Sequence, residues 1–314
     1  MEFYSGCTYG FMEKKGFSKS DDWARASLKL MFEETGSDTL LYAATALQDH
    51  AYSVKVDCLT DDVASEEDIT RCIRIAKEMG KKVILKAIVN CRDGYWRAYI
   101  HFFDKEVNGE SGWHDWFESY GEYVLHLARI AEKTKAEMLC VGCEMIGTDA
   151  RSAEWRELIK KVRGVYHGLI TYNCDKYQEN NVEWWDAVDV ISSSGYYPID
   201  KLDENFERIK RVSESFSRPF MFMECGCPSR EGSEFVPNDW RAGGEQSLAA
   251  QERWYKAFTD ELLKNPWVRG TGWWDWSASR LCPAEKAAQD AGYGVYNKPA
   301  AAVLRRFNEL RIKD

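Results

Sequence analysis

The chain contains eight apolar, β-rich runs, and segments with apolar residues at helical spacing separate them. Most runs are apolar at consecutive positions, which is typical of parallel strands covered by helices on both faces of a sheet. Eight such units in 314 residues favour a closed (β/α)8 barrel, a TIM barrel of the α/β class, over an open sheet. The runs are FYSGCTY (3–9), TLLYAATAL (39–47), KVILKAIV (82–89), EMLCVGCE (137–144), GLITYNC (168–174), VDVISSSGY (188–196), PFMFMEC (219–225) and VRGTGWWDW (268–276).

Four of the separating segments have the helical spacing most clearly, and they lie within residues 69–79, 120–130, 202–216 and 248–262. Ser65 and Asp68 predict a capping box at the start of the first segment. The length would also accommodate two domains, but no linker or low-complexity tract breaks the composition. We therefore predict a single barrel domain over residues 1–314.

Charge and hydropathy argue against two classes of protein. The net charge of -9 and the isoelectric point near 5.3 do not suit a protein that binds duplex nucleic acid, because such proteins carry a basic face. No apolar run approaches the roughly 18 residues of a membrane-spanning helix, so we expect no membrane partner. The first residues, MEFYSGCTYG, lack the features of a secretory signal, which indicates a cytoplasmic protein whose ten cysteines are free thiols.

Two cysteine pairs, Cys140 with Cys143 and Cys225 with Cys227, raise the question of a zinc site. The first pair lies in a β-rich run, where side chains three positions apart face opposite ways, and zinc knuckles normally turn. The five histidines show no spacing that suggests a metal cluster. We therefore expect neither a metal nor any other cofactor.

Acidic residues stand at the carboxyl ends of two runs, where a (β/α)8 barrel places its working residues. Glu144 ends the fourth run and Glu224 ends the seventh. Two carboxylates across a narrow pocket can cleave a glycosidic bond, and a separation of about 5 Å would be the retaining geometry. The 13 Trp and 16 Tyr residues supply flat rings of the kind that bind sugars. Other run ends offer Gln48, Lys86, Asn90, Asn173, Tyr196, Tyr197, Trp273, Trp274, Asp275 and Trp276.

Several segments, in this order, resemble glycoside hydrolase family 113, within the retaining clan of (β/α)8 glycoside hydrolases. They are YGFMEKKGF (9–17), ALQ (46–48), DGYWRAYI (93–100), VGCEM (141–145) and NKPAAAVLRRF (297–307), and together they span nearly the whole chain. Characterised members of that family are largely β-mannanases. The resemblance therefore implies a retaining hydrolase that cleaves β-mannosidic bonds in mannan or manno-oligosaccharides.

The resemblance also implies roles for particular residues. Glu144 would be the general acid/base and Glu224 the nucleophile, while Tyr196 would donate a hydrogen bond to Glu224. Trp274 would form the floor of the subsite beside the cleaved bond. Further candidates for contact with the substrate are Gln48, Lys86, Asn90, Arg92, Trp96, Arg97, Trp113, Trp116 and Asn173.

Two positions depart from the pattern of the clan or of the family. Cys143 stands directly before the acid/base, where most of the clan has an asparagine that binds the sugar 2-hydroxyl; members of family 113 also tend to lack that asparagine. Ala87 and Ile88 stand where the family pattern has proline and histidine. The loss of a polar group there leaves the linkage and the preferred chain length open.

Alternative interpretations remain at the level of the sequence. The substrate could be β-1,3-mannan, glucan or xylan, the action could be exo, or the barrel could bind oligosaccharide without cutting it. Trp273 and Trp276 are expected in the core, because strand alternation sends neighbouring side chains to opposite sides. Trp96, Trp113 and Trp116 could fold their loop onto the barrel instead of contacting a sugar. The sequence leaves the oligomeric state open.

Overall fold

The structure, a computed structural model, describes residues 1–105, 107–241, 243–276 and 284–311. Eight parallel strands form a closed barrel in chain order, and the first strand pairs with the last. This confirms the predicted (β/α)8 class. The strands are β1 (Tyr4–Tyr9), β2 (Thr39–Gln48), β3 (Lys82–Cys91), β4 (Met138–Cys143), β5 (Leu169–Cys174), β6 (Val190–Ser194), β7 (Phe220–Cys225) and β8 (Val268–Trp273).

The helices lie between the strands and after the last one. All four helical segments expected from spacing are confirmed, as is the capping box, in which Ser65 and Asp68 exchange hydrogen bonds. Spacing had not singled out the first, fourth, seventh and eighth helices. The helices are α1 (Asp21–Thr35), α2 (Glu66–Glu78), α3 (Trp113–Thr134), α4 (Ser152–Arg163), α5 (Leu202–Phe216), α6 (Leu248–Lys264), α7 (Ala284–Ala287) and α8 (Pro299–Arg311). Among the described residues, no helix has the length and apolar character needed to cross a membrane.

Two apolar layers surround the strands. The larger layer lies between the outer face of the sheet and the helices and contains most of the buried aromatic residues, including Trp273 and Trp276, as expected. The smaller layer fills the barrel interior at the amino-terminal halves of the strands and consists of Tyr4, Leu41, Ile84, Met138, Cys140, Val190, Met221 and Met223. The carboxyl-terminal half of the interior combines polar and charged side chains with a small apolar cluster of Ala43, Ile88 and Cys143, and it holds the site described below.

Local irregularities interrupt the strand ladder near two acidic residues. The β4–β5 register shifts between Cys140 and Cys143, and Glu144 follows with a left-handed backbone, at φ 51°. The β6–β7 register shifts next to the pair formed by Ser194 and Glu224. Such irregularities re-aim side chains that strict alternation would send to the other face. They explain why Met223 and Glu224, which are neighbours in sequence, both face the barrel interior.

Cysteines and strand ends complete the comparison with the sequence. The nine described cysteines are free thiols, as expected, and Cys282 lies outside the described residues. Two strands end two or more residues before their apolar runs: β6 ends at Ser194 and β8 ends at Trp273. The residues beyond these ends, Tyr196 and Trp274, therefore belong to loops at the carboxyl end of the barrel.

Candidate active site

Two buried carboxylates face each other at the carboxyl end of the barrel. Glu144 follows β4 and is 7% exposed, while Glu224 lies in β7 and is 2% exposed. A carboxylate oxygen of each residue and the Sγ atom of Cys143 all lie within 4.8 Å of one another. This separation is close to that of retaining glycosidases and well below the spacing of about 6.5–9.5 Å found in inverting ones.

Glu224 is held by three side chains. Lys86, which is fully buried on β3, forms an ion pair with Oε1. The Tyr196 hydroxyl donates to Oε2 at 3.0 Å, which is the contact implied by the resemblance, and Cys143 Sγ donates to Oε1 at 3.2 Å. Burial alone would raise the pKa of Glu224, but the charges of Lys86 and Arg97 outweigh it and hold that pKa below its usual value. Glu224 is therefore kept in the ionised form that a nucleophile needs.

Glu144 has a different set of partners. Arg97 donates from Nη2 to Oε2 at 2.7 Å, and the Ser194 hydroxyl donates to Oε1 at 2.6 Å. Arg97 lies in a short helical turn after β3 and also donates to the Cys143 carbonyl at 2.9 Å and to Asn90 Oδ1 at 3.1 Å. Each Glu144 oxygen thus has its own donor, and the carboxylate is fixed in one orientation.

Three of the expected sugar contacts lie at or near the surface. Trp274 is half-buried, its ring packs edge-on against Phe11 at 4.7 Å between centroids, and the peptide bond that follows it is cis. Trp96 is 38% exposed. Arg92 is exposed and forms ion pairs with Asp49 and Asp62. Their roles in binding stay predictions, since each side chain has room to meet a ligand.

Three further candidates, Gln48, Trp113 and Trp116, have buried side chains with partners in the protein, and their contact with a sugar stays a prediction. Gln48 donates to the His50 carbonyl at 2.6 Å and accepts from Trp116 Nε1 at 3.0 Å, so both ends of its amide are occupied. Trp113 is 4% exposed and packs among His101, Phe102, Trp116 and Phe117. The rings of Trp113 and Trp116 therefore fold the third loop onto the barrel.

Asn173 and Lys86 have partners among the residues around the two carboxylates, and their own contact with a sugar stays a prediction. Asn173 is fully buried and donates to Ser194 Oγ at 3.2 Å and, more weakly, to Cys143 Sγ at 3.5 Å. It therefore supports two residues that contact the carboxylates. The Lys86 ammonium group forms an ion pair with Glu224, and Asn90 Oδ1 accepts a hydrogen bond from Arg97.

Sequence reasoning missed two polar residues of this region. Ser194 binds Glu144, yet in the sequence it is one of three consecutive serines before Gly195. Asp175 directly follows β5 and is 5% exposed, and burial, with the charge of Glu144 adding to it, raises its pKa. The signal that could have found Asp175 is its place at a strand end, in the segment ITYNCDKY. Arg97 was a loop candidate, but its contact with Glu144 spans 47 positions and leaves no local pattern.

The ion pairs also bear on metal binding. Cys143, Glu144 and Glu224 form a group of potential metal ligands among the described residues. Arg97 and Lys86 already supply a cation to each of the two carboxylates. The negative charge that would attract a metal ion is therefore largely neutralised by the protein itself.

Comparisons with known proteins agree with this geometry. The model of glycoside hydrolase family 113 matches residues 7–298. A GH113 β-1,4-mannanase, solved as a complex, is 46% identical with a TM-score of 0.96, over 98% of this chain and 99% of that one. The GH113 β-mannanase AaManA from Alicyclobacillus acidocaldarius, in complex with ManMIm, is 38% identical with a TM-score of 0.93, over 99% of this chain and 98% of that one.

More distant similarity extends to the fold alone. A β-glucuronidase from Dictyoglomus thermophilum is 16% identical with a TM-score of 0.63, over 98% of this chain and 51% of that one. No sequence among curated proteins matches the chain. On the strength of the family model and the two mannanase structures, the chain belongs to glycoside hydrolase family 113 and is a glycoside hydrolase.

Proposed function

We propose that this enzyme cleaves β-mannosidic bonds in mannan or manno-oligosaccharides with retention of configuration, by double displacement. The observation that carries the proposal is the pair Glu144 and Glu224, whose carboxylate oxygens approach within 4.8 Å. The substrate class is supported by the two family relatives, which are β-mannanases, one of them acting on β-1,4 bonds. We further propose that residues 1–314 form one catalytic domain, since β1 and β8 close the same barrel.

Glu224 is the nucleophile in this mechanism. Its carboxylate attacks the anomeric carbon and forms a covalent glycosyl-enzyme. Lys86 and Tyr196 hold it in place before substrate arrives, so little reorganisation is needed in the transition state. The lowered pKa of Glu224 keeps the attacking oxygen unprotonated.

Glu144 is the general acid and then the general base. In the first step it gives its proton to the departing glycosidic oxygen, and in the second it takes a proton from the water that attacks the glycosyl-enzyme. Ser194 and Arg97 keep the carboxyl group directed across the pocket toward Glu224. The two carboxyl groups account for every bond and proton change, so the reaction as proposed draws on no cofactor.

A substrate panel tests the proposal. Reducing-sugar release and product sizes would be measured for the wild type and Glu224→Gln on β-1,4-manno-oligosaccharides, β-1,3-mannan, cello-oligosaccharides and xylo-oligosaccharides. We expect cleavage of mannosides by the wild type and none by the variant. Cleavage confined to glucan or xylan would overturn the substrate class. Binding of glycans without any product would overturn the enzymatic assignment of the pair.

A further inference from the structure

A third carboxyl group, that of Asp175, stands beside the catalytic pair and has no part in the mechanism above. Asp175 directly follows β5, which neighbours β4 in the barrel. Asn173 is in register with Cys143, and its carbonyl accepts from the Glu144 backbone N–H at 2.8 Å. Adjacent strands lie about 4.8 Å apart, and Asp175 stands two positions beyond Asn173, so its backbone continues past the level of Glu144 on the neighbouring strand.

The orientation of Asp175 follows from its neighbours. Asn173 faces the barrel interior, where it meets Cys143 Sγ, while Cys174 belongs to the layer that packs against the helices. Alternation along an extended chain then returns Asp175 to the interior side. The charged groups around it are Glu144 and Asp149 after β4, Glu224 on β7, and its own neighbour Lys176.

Asp175 differs from the catalytic carboxylates in how its charge is compensated. Glu144 has Arg97 at 2.7 Å and Glu224 has the buried Lys86. The cation next to Asp175 is Lys176, whose Nζ lies 3.6 Å from Oδ1, beyond good hydrogen-bond distance, while the Lys176 backbone N–H donates to the Asp175 carboxyl group. The two carboxyl oxygens can accept further hydrogen bonds beyond this one. A buried carboxyl group usually has its oxygens satisfied. The hydroxyl groups of a bound sugar would supply such partners.

Resting on the proposed function, we propose that Asp175 is a specificity-determining residue, whose carboxyl group binds hydroxyl groups of the sugar that departs with the glycosidic oxygen. The position beside Glu144 places it on this side, because the general acid contacts the leaving oxygen. Two carboxyl oxygens can engage two neighbouring hydroxyls of a neutral sugar. A carboxylated sugar would meet repulsion from the same group.

Two substrates and two variants test this role. One substrate is mannotetraose, whose leaving group is a sugar, and the other is para-nitrophenyl β-mannobioside, whose leaving group is a phenol. The variants are Asp175→Asn and, as a matched control, Asp149→Asn. Asp149 is also a buried aspartate with a raised pKa, but its carboxylate accepts from the Tyr172 hydroxyl at 2.6 Å, within the layer that faces the helices.

We expect Asp175→Asn to lower kcat/KM on mannotetraose about ten- to hundredfold, as for the loss of one or two hydrogen bonds to a charged group, with most of the change in KM. On the aryl substrate the change should stay below about threefold, which also shows that the variant is folded. Asp149→Asn should change kcat/KM by the same factor on both substrates. Equal losses on both substrates, or no loss on mannotetraose, would overturn the role of Asp175. A wild type inactive on both substrates would instead refute the proposed function.

Discussion

The two ends of the barrel interior are equally buried and chemically opposite. On β3, Ile84 and Lys86 are two positions apart on the same face, and both are almost inaccessible to solvent. Ile84 packs with Met138 and Met221 in the apolar amino-terminal end, whereas Lys86 pairs with Glu224 at the carboxyl-terminal end. The same strands therefore carry an apolar layer that stabilises the fold and a polar layer that holds the reactive groups. On β3 the two layers are only two residues apart.

The amino-terminal end of the barrel interior contributes mainly to stability, and the carboxyl-terminal end contributes mainly to function. Burial of apolar surface stabilises the fold by about 25 cal/mol per Å², and the amino-terminal layer contributes in this way. Burial of charge costs free energy that an ion pair only partly recovers, so the pairs at the mouth are weak contributors to stability. In the proposed mechanism they serve to orient Glu224 and keep it ionised. Substitutions at the two ends should separate activity from stability.

The largest effect is expected at the nucleophile. Glu224→Gln keeps the size of the side chain and removes its charge, and kcat/KM should fall by about 10⁴-fold or more. Glu224→Ala would also leave Lys86 buried without a partner, at a cost of about 3–5 kcal/mol. Steady-state kinetics and urea unfolding of both variants would measure the two effects. Hydrolysis by Glu224→Gln near the wild-type rate would contradict the assignment.

Lys86 provides the next test, because it contacts the nucleophile. Lys86→Met replaces the cation by an apolar chain of similar length and leaves the buried Glu224 without its cation, so kcat should fall about 10²- to 10³-fold and the free energy of unfolding at neutral pH by about 3–5 kcal/mol. Protonation of the now unpaired Glu224 is the physical cause, and the acid limb of the rate profile should move to higher pH. An unchanged pH profile would show that Lys86 has a packing role alone.

Ile84 is the matched position in the apolar layer. Ile84→Ala should lower the free energy of unfolding by about 2–4 kcal/mol, through lost burial and a residual cavity. Below the unfolding temperature, kcat should remain within about twofold of the wild type, since the catalytic pair lies at the other end. Urea unfolding and initial rates at 25 °C would check both. A large loss of kcat in the folded variant would mean that the two layers are coupled.

The smallest effect concerns how buried carboxyl groups respond to pH. Burial raises the pKa of Asp149 to about 7, and its Oδ2 has no hydrogen-bond partner among the described residues. A carboxyl group whose folded pKa is raised holds its proton more tightly in the folded state, so stability falls as pH rises from about 4 to 7. Asp149→Asn should flatten the unfolding free energy over this window, by about 1–3 kcal/mol at pH 7.

Glu224 should behave in the opposite sense, because its pKa is lowered in the folded state. Its contribution is present above the pKa of an unfolded glutamate, near 4.3, and is lost as pH falls toward the folded pKa. Urea unfolding between pH 3 and pH 8 would distinguish the two groups. An Asp149→Asn curve parallel to that of the wild type would argue against a raised pKa for Asp149.

Much of this arrangement could be predicted from the sequence. Apolar runs and helical spacing indicated the barrel, and the strand ends indicated Glu144, Glu224 and Tyr196, because the pattern of a regular strand is local. The burial of Trp273 in the layer that faces the helices agrees with the expectation from alternation, although the β7–β8 register shifts earlier in the strand.

The remaining features of the site depend on contacts between distant segments. Arg97 donates to Glu144, which lies 47 positions away, and Gln48 accepts a hydrogen bond from Trp116, which lies 68 positions away. Neither contact leaves a pattern in the local sequence. The register shift beside Glu224 reverses the face that strict alternation would assign to it. Strand ends could therefore indicate the two acids, Lys86 and Tyr196, but not the contacts that Arg97 and Ser194 make with Glu144.

The most direct test of the account is to trap the covalent intermediate. A 2-deoxy-2-fluoro β-mannosyl fluoride would be incubated with the wild type, and the digested protein would be analysed by mass spectrometry. The account predicts one added glycosyl group, located on the peptide that contains Glu224. A label on another residue, or hydrolysis with inversion and no labelled protein, would contradict the claim that Glu224 is the nucleophile of a retaining enzyme.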